Sequence, residues 1–256
     1  GFEICYRTAG ATLKEWGLGE GTLAEQLEAA IDEKTAAVTY VFGPWMDCDL
    51  SLREVVEIAH AKDVPVIVDG AAMLPPAENL TKYIAEGADL VTFSGGKGLR
   101  GPQSTGILAG RADLVEAARL NMSPHASVGR GSKVAKEEIA AVLVALKRFV
   151  SMDHEAEWAT WRSWSETIIA AADGVTGLRP VIEDGDPNRQ GPTAAFYFED
   201  GWDGPSSKEI QEKLAAGDPN IQVGVGNYGD ELHISPVALE PGEAEIVAAA
   251  LKAAFQ

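Results

Sequence analysis

The sequence is poor in cationic side chains. Its 256 residues include 21 lysines and arginines against 39 aspartates and glutamates, for a formal net charge of −18. Proteins bind nucleic acids and anionic membrane surfaces mainly through lysine and arginine, so we predict neither of these partners. The simplest interpretation of the charge is good solubility.

Cysteine is also scarce. Cys5 and Cys48 show neither CxxC nor Cys/His spacing, which argues against a disulfide scaffold or a structural zinc site. We therefore predict a reducing, cytoplasmic location and no metal. No apolar run reaches the roughly 20 residues of a membrane helix, and the first residues lack a signal-peptide pattern. The chain starts at Gly1 without a methionine, as if part of a longer protein.

The first half alternates short apolar runs with amphipathic segments. The runs that predict strands are 36–42, 64–69, 88–93 and 105–110. The segments that predict helices are 50–62, 80–87 and 112–120. Apolar strands separated by helices predict an α/β fold, with a mostly parallel sheet between helical layers.

A helical pattern follows, and its apolar residues recur about every 3.5 positions. They are Ile139, Leu143, Leu146, Val150, Trp158, Trp161, Trp164 and Ile168. We interpret the tryptophan stripe as core rather than as a binding face. Clustered short strands after Gly174 predict a smaller α+β domain. The predicted division is a large domain over 1–134, a connecting helix over 135–172 and a C-terminal domain over 173–256.

The segment VTFSGGKGLRGPQSTG places Lys97 among glycines directly after an apolar run. A phosphate-binding P-loop requires Ser or Thr after the lysine, but Gly98 stands there. The segment GVGNYG, from Gly224 to Gly229, matches G-x-G-x-x-G, yet a strand-like segment follows it instead of a helix. A β-hairpin turn is the better interpretation.

Asp69 and Lys97 end neighbouring predicted strands. One strand–helix–strand unit separates them, so both should lie at the carboxyl edge of the sheet, where open α/β sheets bind ligands. Pyridoxal phosphate needs such a pair: a lysine for the Schiff base and a carboxylate that keeps the ring nitrogen protonated. A lysine with little room for hydration could serve as a nucleophile. From the residues alone, a solvated lysine and a helix-capping aspartate explain Lys97 and Asp69 as well as a cofactor site does.

Three segments resemble the selenocysteine-synthase-like branch of the fold-type-I pyridoxal phosphate enzymes, which contains L-seryl-tRNA selenium transferase and D-glucosaminate-6-phosphate ammonia-lyase. They are VPVIVDGAAMLPPAENL (64–80), GADLVTFSGGKGLRGPQSTGILAGR (87–111) and VGRGSKVAKEEIAAVLVAL (128–146). The resemblance implies a large cofactor-binding domain, a small C-terminal domain and a homodimer or larger assembly. It also implies about a hundred residues before Gly1, so that 1–10 would be the strand and turn that follow them.

The resemblance assigns roles to individual residues. Lys97 would bind the cofactor covalently and Asp69 would hold the ring nitrogen. Further cofactor contacts would be Ala71, Ser94, Gly96 and Gln103, with Gly101 and Pro102 shaping the loop. Candidates for contacts to a substrate or phosphate anion are Arg100, His125, Arg130 and Lys133.

The activity implied is a lyase that deaminates a hydroxylated amino acid or amino-sugar acid, which could carry a phosphate, by α,β-elimination followed by hydrolysis of the enamine to a keto acid and ammonia. An aminotransferase, an aldolase, a racemase or a non-catalytic phosphate-ligand protein would share these residues. Related enzymes often hold the substrate carboxylate with an arginine in the strand that carries His233 here. Arg179 and Arg189 lie nearby in sequence without a motif, so ordinary transamination is disfavoured.

Overall fold

The computed structural model describes residues 3–17, 23–43, 49–184, 190–226 and 230–256. The chain divides into two compact units, 1–152 and 153–256, and each is described by itself. Their boundary lies inside the segment predicted to connect the domains. The predicted boundaries at 134 and 172 stay a prediction. In the described ranges, no helix is long and apolar enough to cross a membrane.

The first unit contains one sheet and the helices around it. Its elements in chain order are α1 (Glu3–Thr8), α2 (Leu23–Ala30), β1 (Val38–Val41), α3 (Leu52–His60), β2 (Val66–Asp69), α4 (Asn79–Ala85), β3 (Leu90–Ser94), β4 (Gly106–Gly110), α5 (Ala112–Leu120) and α6 (Lys136–Val150). The four predicted strands and three predicted helices of this half are confirmed.

The strand predicted at the start of the chain is wrong. Residues 3–8 form the helix α1, where a strand was predicted. Glu3 and Arg7 are spaced by one helical turn and pair at 3.6 Å, an arrangement that stabilises helices. No residue of α1 is buried, so apolar character alone could not identify the element. The helix α2, which was not predicted, buries Leu27.

The sheet has the strand order β1-β2-β3-β4. The pairs β1–β2 and β2–β3 are parallel and β3–β4 is antiparallel, which confirms the mostly parallel sheet. Asp69 lies opposite Val41 on one side and Thr92 on the other. The carboxyl ends of three neighbouring strands therefore meet at one edge.

The core of the first unit lies where α3 packs against the sheet. Val55 and Ala59 of α3 are fully buried with Val66 and Val68 of β2. Each of these valine side chains contributes about 1.5–3 kcal/mol when it leaves water. A capping box fixes the start of α3, since Ser51 and Glu54 satisfy each other's backbone N–H groups.

Asp89, just before β3, lies at the opposite end of the parallel strands, where β2 and β3 begin. Its buried carboxylate accepts the N–H of Val66 at 2.7 Å, lies 2.8 Å from His60 Nε2, and pairs with Arg111 at 2.9 Å. Burial alone would raise the pKa of Asp89, but the hydrogen bonds from His60, Val66 and Arg111 lower it below its usual value. This carboxylate ties β2, β3 and the residue after β4 together.

The single helix predicted over 135–172 is two helices. Helix α6 ends at Val150, and α7 (His154–Ile169) begins after Asp153, whose side chain accepts the N–H of Ala156 at 3.0 Å. This aspartate cap competes with continuation of the helix. The apolar phase of α6 differs from the prediction in part. Leu146 packs partly buried against the core, as predicted. Ile139, Leu143 and Val150 are exposed, and Val142 and Phe149 are buried instead.

The second unit is an α+β arrangement around an antiparallel sheet. Its elements are α7, a short 3-10 turn (Ala170–Ala172), β5 (Leu178–Glu183), β6 (Thr193–Phe198), α8 (Ser207–Ala215), β7 (Gly224–Val225), β8 (Glu231–Ile234), a 3-10 turn (Pro236–Ala238) and α9 (Glu243–Ala254). The strand order is β5-β6-β8-β7. The antiparallel pairing of β7 with β8 confirms the predicted hairpin; residues 227–229 of its turn lie outside the described residues.

The tryptophan stripe of α7 belongs largely to the core. Trp161 is buried and Trp164 packs partly buried against the core of the second unit, as predicted, while Trp158 is half-buried. Gly191 lies against Trp161, since a Cβ there would come within 2.9 Å of the indole ring. The prediction of core rather than binding face is thus confirmed at Trp161.

Candidate active site

The fold brings Asp69 and Ser94 to the same edge of the sheet. They are the last residues of the parallel neighbours β2 and β3. The N–H of Gly70 donates to Thr92 O at 3.0 Å, which carries the ladder one residue past Asp69. Lys97 follows β3 by three residues. The predicted shared edge for the aspartate and the lysine loop is therefore present.

The Asp69 carboxylate is half-buried and partly satisfied. One oxygen, Oδ1, accepts the N–H of Ala71 at 3.0 Å, which turns the chain sharply after β2. Within the described ranges no cationic side chain pairs with this carboxylate. The other oxygen, Oδ2, can accept a hydrogen bond from a ligand, for example from the N–H of a protonated pyridine ring.

Small residues surround Asp69. A Cβ at Gly70 would lie 3.3 Å from the Phe93 ring, and Ala71 is half-buried beside the edge. The side-chain amide of buried Asn79 donates to Met73 O at 2.6 Å and so fixes the turn that follows. The residues that follow Asp69 in the chain, Gly70, Ala71 and Ala72, have small side chains or none, which fits a flat ring beside the carboxylate.

Lys97 lies in a turn that close packing holds in place. Cβ atoms built at Gly95 and Gly98 would overlap the Thr105 hydroxyl and the Leu74 carbonyl oxygen, and one at Gly96 would lie 2.6 Å from Gln103 Cα. The glycines are needed because neighbouring groups occupy the space of a side chain. The Lys97 side chain itself is exposed, so the predicted crowding of its amine by this chain is wrong.

The residues after the lysine close the loop back onto β3. Gly95 N–H donates to Thr105 O at 2.9 Å and Gly101 N–H to Gly95 O at 2.7 Å. The Thr105 hydroxyl donates to Pro102 O at 2.7 Å. Gly101 and Pro102 thus shape the loop as predicted, and this packing places Gln103 directly beside Gly96.

Sequence reasoning missed the link between this loop and α6. The Ser104 hydroxyl donates to the Glu138 carboxylate, which also accepts the N–H of Ala135 at 2.9 Å. These two hydrogen bonds hold the pKa of Glu138 below its usual value. No motif marked Ser104, although Glu138 stands in the first turn of α6, where a carboxylate is favourable.

The segment between α5 and α6 carries the predicted anion contacts. Arg130 Nη1 donates to Ser123 Oγ at 2.6 Å, and His125 Nε2 lies 3.4 Å from Arg119 Nη1. Lys133 is exposed. His125, Arg130 and Lys133 stand on one short, hydrogen-bonded segment, and their contacts to an anion stay a prediction. Arg100 has its backbone in the left-handed region, with φ of 54°.

The second unit places His233 between two carboxylates. Its Nε2 lies 3.2 Å from Glu231 and its Nδ1 3.7 Å from Glu183, which also accepts the Tyr197 hydroxyl. Arg179 pairs with Glu199 at 2.5 Å. The acidic surroundings make His233 unsuitable as a replacement for an arginine that holds a carboxylate. Arg189 and Cys48 lie outside the described residues.

The fold is that of the fold-type-I pyridoxal phosphate enzymes. It is similar to the structure of D-glucosaminate-6-phosphate ammonia-lyase, with a TM-score of 0.70 and 26% identity, covering 96% of this chain and 64% of that one. A structure of SPT with PLP internal aldimine has a TM-score of 0.59 at 18% identity, covering 90% of this chain and 58% of that one. The latter is a likeness of fold alone.

The chain belongs to the SelA family, L-seryl-tRNA selenium transferase, whose family model matches residues 3–163. D-glucosaminate-6-phosphate ammonia lyase of Salmonella typhimurium is 28% identical over 253 residues, 96% of this chain and 64% of that protein. 5'-C-glycyluridine monooxygenase-decarboxylase of a Streptomyces species is 30% identical over 243 residues, 93% of this chain and 59% of that protein. The chain spans about three fifths of the length of these relatives. The predicted family is confirmed.

Proposed function

We propose that the protein is a pyridoxal phosphate-dependent lyase that releases ammonia by α,β-elimination from a hydroxylated amino acid or amino-sugar acid, including phosphorylated ones. The observation that carries the proposal is the shared sheet edge of Asp69 and the Lys97 loop, in a family of pyridoxal phosphate enzymes. The similarity to an ammonia lyase over 96% of the chain favours elimination.

The residues at the edge fit the cofactor. Asp69 would accept the ring N–H, Ala71 would lie against the ring, and Lys97 would supply the covalent link. Ser94, Gly96 and Gln103 would contact the phosphate or other polar groups (the turn 95–99 offers backbone N–H groups suited to an anion). When bound, pyridoxal phosphate acts as an electron sink for the substrate Cα.

The remaining chemistry belongs to the protein's own groups. The Lys97 amine, when neutral, takes the proton from Cα, and the resulting ammonium is a proton source for the hydroxyl that leaves Cβ. The Asp69 charge favours a proton on the ring nitrogen. Loss of water followed by hydrolysis of the enamine product gives a 2-oxo acid and ammonia.

Side chains of the segment between α5 and α6 would bind the anionic group of the substrate. His125, Arg130 and Lys133 are cationic groups or potential cations on this segment, in a chain of net charge −18. His233 lies beside Glu183 and Glu231 and would repel a carboxylate. This arrangement supports a lyase acting on an anionic substrate over an ordinary amino-acid aminotransferase.

We also propose a homodimer or larger assembly, because fold-type-I sites are usually completed by a neighbouring subunit. A cytoplasmic location is proposed from the scarcity of cysteine. A small molecule is the expected substrate. The acidic surface supports no nucleic-acid partner, since electrostatic attraction to phosphates supplies most of such binding.

The first test is the visible absorption spectrum of the purified full-length protein supplied with pyridoxal phosphate. We expect a yellow species that borohydride bleaches and fixes to the protein, in wild type and in the control Lys34→Ala, which changes another exposed lysine. Lys97→Ala should lose the fixed label. A protein that stays colourless would leave only a non-catalytic role for this fold.

A product assay then separates the reactions. Ammonia and a 2-oxo acid formed in equal amounts, without an added 2-oxo acid, indicate elimination. Turnover that requires an added 2-oxo acid indicates an aminotransferase, and cleavage to an aldehyde or loss of chirality at Cα indicates an aldolase or a racemase. Any of these three outcomes overturns the assignment of an α,β-elimination while keeping the cofactor.

A further inference from the structure

Thr92 pairs with Asp69 across the sheet, although no sequence motif marked it. Strands β2 and β3 run parallel, and Asp69 lies directly opposite Thr92. Paired residues on neighbouring strands point to the same face, with about 4.8 Å between the strands. The residue on the other side of Asp69 is Val41 of β1. Thr92 is therefore the only residue flanking Asp69 in the described sheet whose side chain can form a hydrogen bond.

The burial pattern places Thr92 on the more open face of the sheet. Along β3, Val91 and Phe93 are buried, whereas Thr92 is half-buried. In β2, Val68 is buried and Asp69 is half-buried. Because successive side chains of a strand point to opposite faces, the two half-buried residues share one face and the buried ones share the other. The Thr92 hydroxyl thus lies on the face that carries the Asp69 carboxylate.

Both polar groups of this pair have unused capacity for hydrogen bonds. Asp69 Oδ1 accepts the N–H of Ala71 at 3.0 Å, and within the described residues Oδ2 has no protein partner. The Thr92 hydroxyl has none in this part of the chain either. Its neighbour on β4 is Leu108, which offers no side-chain acceptor. Solvent can satisfy both groups as long as this face is open.

A ligand ring bound at Asp69 changes this situation. The ring would keep solvent from the carboxylate and from the hydroxyl beside it, and a polar group that is covered without a hydrogen bond is unfavourable. The strand register makes Asp69 Oδ2 the side-chain acceptor next to Thr92, and a carboxylate oxygen can accept two hydrogen bonds. We propose that Thr92 is a positioning residue for the ring-nitrogen site. With the ring bound, its hydroxyl donates to Oδ2 while the Ala71 N–H holds Oδ1, which fixes the carboxylate toward the ring N–H.

This inference rests on the proposed function, because it assumes a cofactor ring nitrogen beside Asp69. It adds a residue that acts through Asp69 and that none of the predicted cofactor contacts includes. Its test measures binding rather than turnover, so the result does not depend on which substrate the protein uses.

The test is an equilibrium titration of the purified full-length protein, freed of cofactor, with pyridoxal phosphate. Absorption of the bound form measures the affinity. Thr92→Val replaces the hydroxyl by a methyl group of similar size, and we expect it to weaken binding about fivefold because one hydrogen bond is lost. Thr92→Ser retains the hydroxyl and should bind within about twofold of wild type.

Thr39→Val is the matched control. Thr39 is also half-buried and lies on the same face, but it pairs with Ile67 instead of Asp69. Its substitution should leave the affinity unchanged. Denaturant unfolding of the cofactor-free variants shows that each is folded. Thr92→Val should be no less stable than wild type in this state, because solvent satisfies the hydroxyl there.

A double-mutant cycle separates positioning from a structural effect. In an Asp69→Ala background the Thr92 hydroxyl has no carboxylate to hold, so Thr92→Val should no longer weaken the binding of pyridoxal phosphate. A general disturbance of the sheet edge would weaken binding in both backgrounds.

Three results would overturn the inference. These are binding to Thr92→Val as tight as to wild type, equal weakening by Thr39→Val, and weakening that persists in the Asp69→Ala background. If wild type shows no saturable binding, the proposed function fails together with this inference. If wild type and Thr92→Val bind equally well, the proposed function stands and only the role of Thr92 is lost.

Discussion

At the scale of single residues, the carboxyl group of Asp69 has two separable roles. Oδ1 accepts the Ala71 N–H at 3.0 Å, and the negative charge is proposed to hold a proton on the cofactor ring. Asp69→Asn keeps an acceptor for Ala71 but removes the charge. We expect a folded protein with kcat lowered about 100-fold or more, measured with the product assay. Wild-type turnover in this variant, with its fold intact, would contradict the proposed role.

A second residue-scale prediction concerns Gly98. A Cβ there would overlap the carbonyl oxygen of Leu74, and backbone on both sides leaves little room to adjust. We expect Gly98→Ala to lower the free energy of unfolding by about 1–3 kcal/mol. Gly131→Ala is the matched control, because a Cβ at Gly131 meets nothing within 4 Å. Denaturant unfolding measures the stability of both variants. Equal stability would show that the turn can adjust to a side chain at Gly98 without cost.

The sequence predicted the sheet edge with Asp69 and Ser94 better than it predicted the contacts around that edge. Strand ends at Asp69 and Ser94 follow from apolar runs that stop at polar residues, and parallel order places both at one edge. The exposure of Lys97 and the Ser104–Glu138 hydrogen bond depend on how distant segments pack. No local pattern in the sequence encodes such contacts.

At the scale of elements, Asp89 joins β2, β3 and Arg111 from the edge opposite the candidate site. Asp89→Asn keeps one acceptor oxygen but loses the charge and turns an amide NH₂ toward one of the donors, so it should lower the free energy of unfolding by about 2 kcal/mol near neutral pH. Asp113→Asn is the control: Asp113 pairs with the same arginine at 2.7 Å but is exposed, and such pairs contribute little. Comparable losses in both variants would mean that burial of Asp89 is unimportant.

The pH dependence of this element has a defined sign. The folded pKa of Asp89 is lowered, so its contribution is fully present above the unfolded pKa of about 3.9. The contribution is lost as the pH falls through the lower folded pKa. The stability difference between wild type and Asp89→Asn should therefore shrink below about pH 4, as measured by unfolding at several pH values. A constant difference would contradict the assignment.

The elements also show where apolar periodicity is insufficient. It predicted a helix at α6, but Val142 to Leu146 is apolar throughout, so the pattern does not define which face is buried. The buried face, with Val142 and Phe149, lies one residue or about 100° from the predicted one. The break before α7 came from Asp153, whose polar cap lies within an otherwise helical pattern.

At the scale of the whole molecule, exposed apolar side chains are concentrated. Of ten large apolar residues exposed in the described ranges, seven lie between positions 120 and 150. The proposed homodimer gives this region a role as the contact with a second copy. We expect Leu143→Glu to weaken self-association at least about tenfold, because a charge would be buried in an apolar contact.

Sedimentation of the full-length protein at several concentrations measures this effect. Ile246→Glu is the control, since Ile246 of α9 is exposed to a similar degree, 47% against 53% for Leu143, but lies outside the region. A monomeric wild-type protein, or equal weakening by both substitutions, would contradict the assignment of this surface.

The antiparallel return of β4 has a mechanical consequence. Because β3 and β4 pair from Leu90 to Gly110 and Gly95 bonds back to Thr105, both ends of the lysine turn are fastened to one ladder. A segment clamped in this way does not swing as a lid, and the amine moves chiefly through the rotations of its own side chain. If a ligand at this edge is enclosed by a movement, we expect that movement from parts of the protein other than the lysine turn.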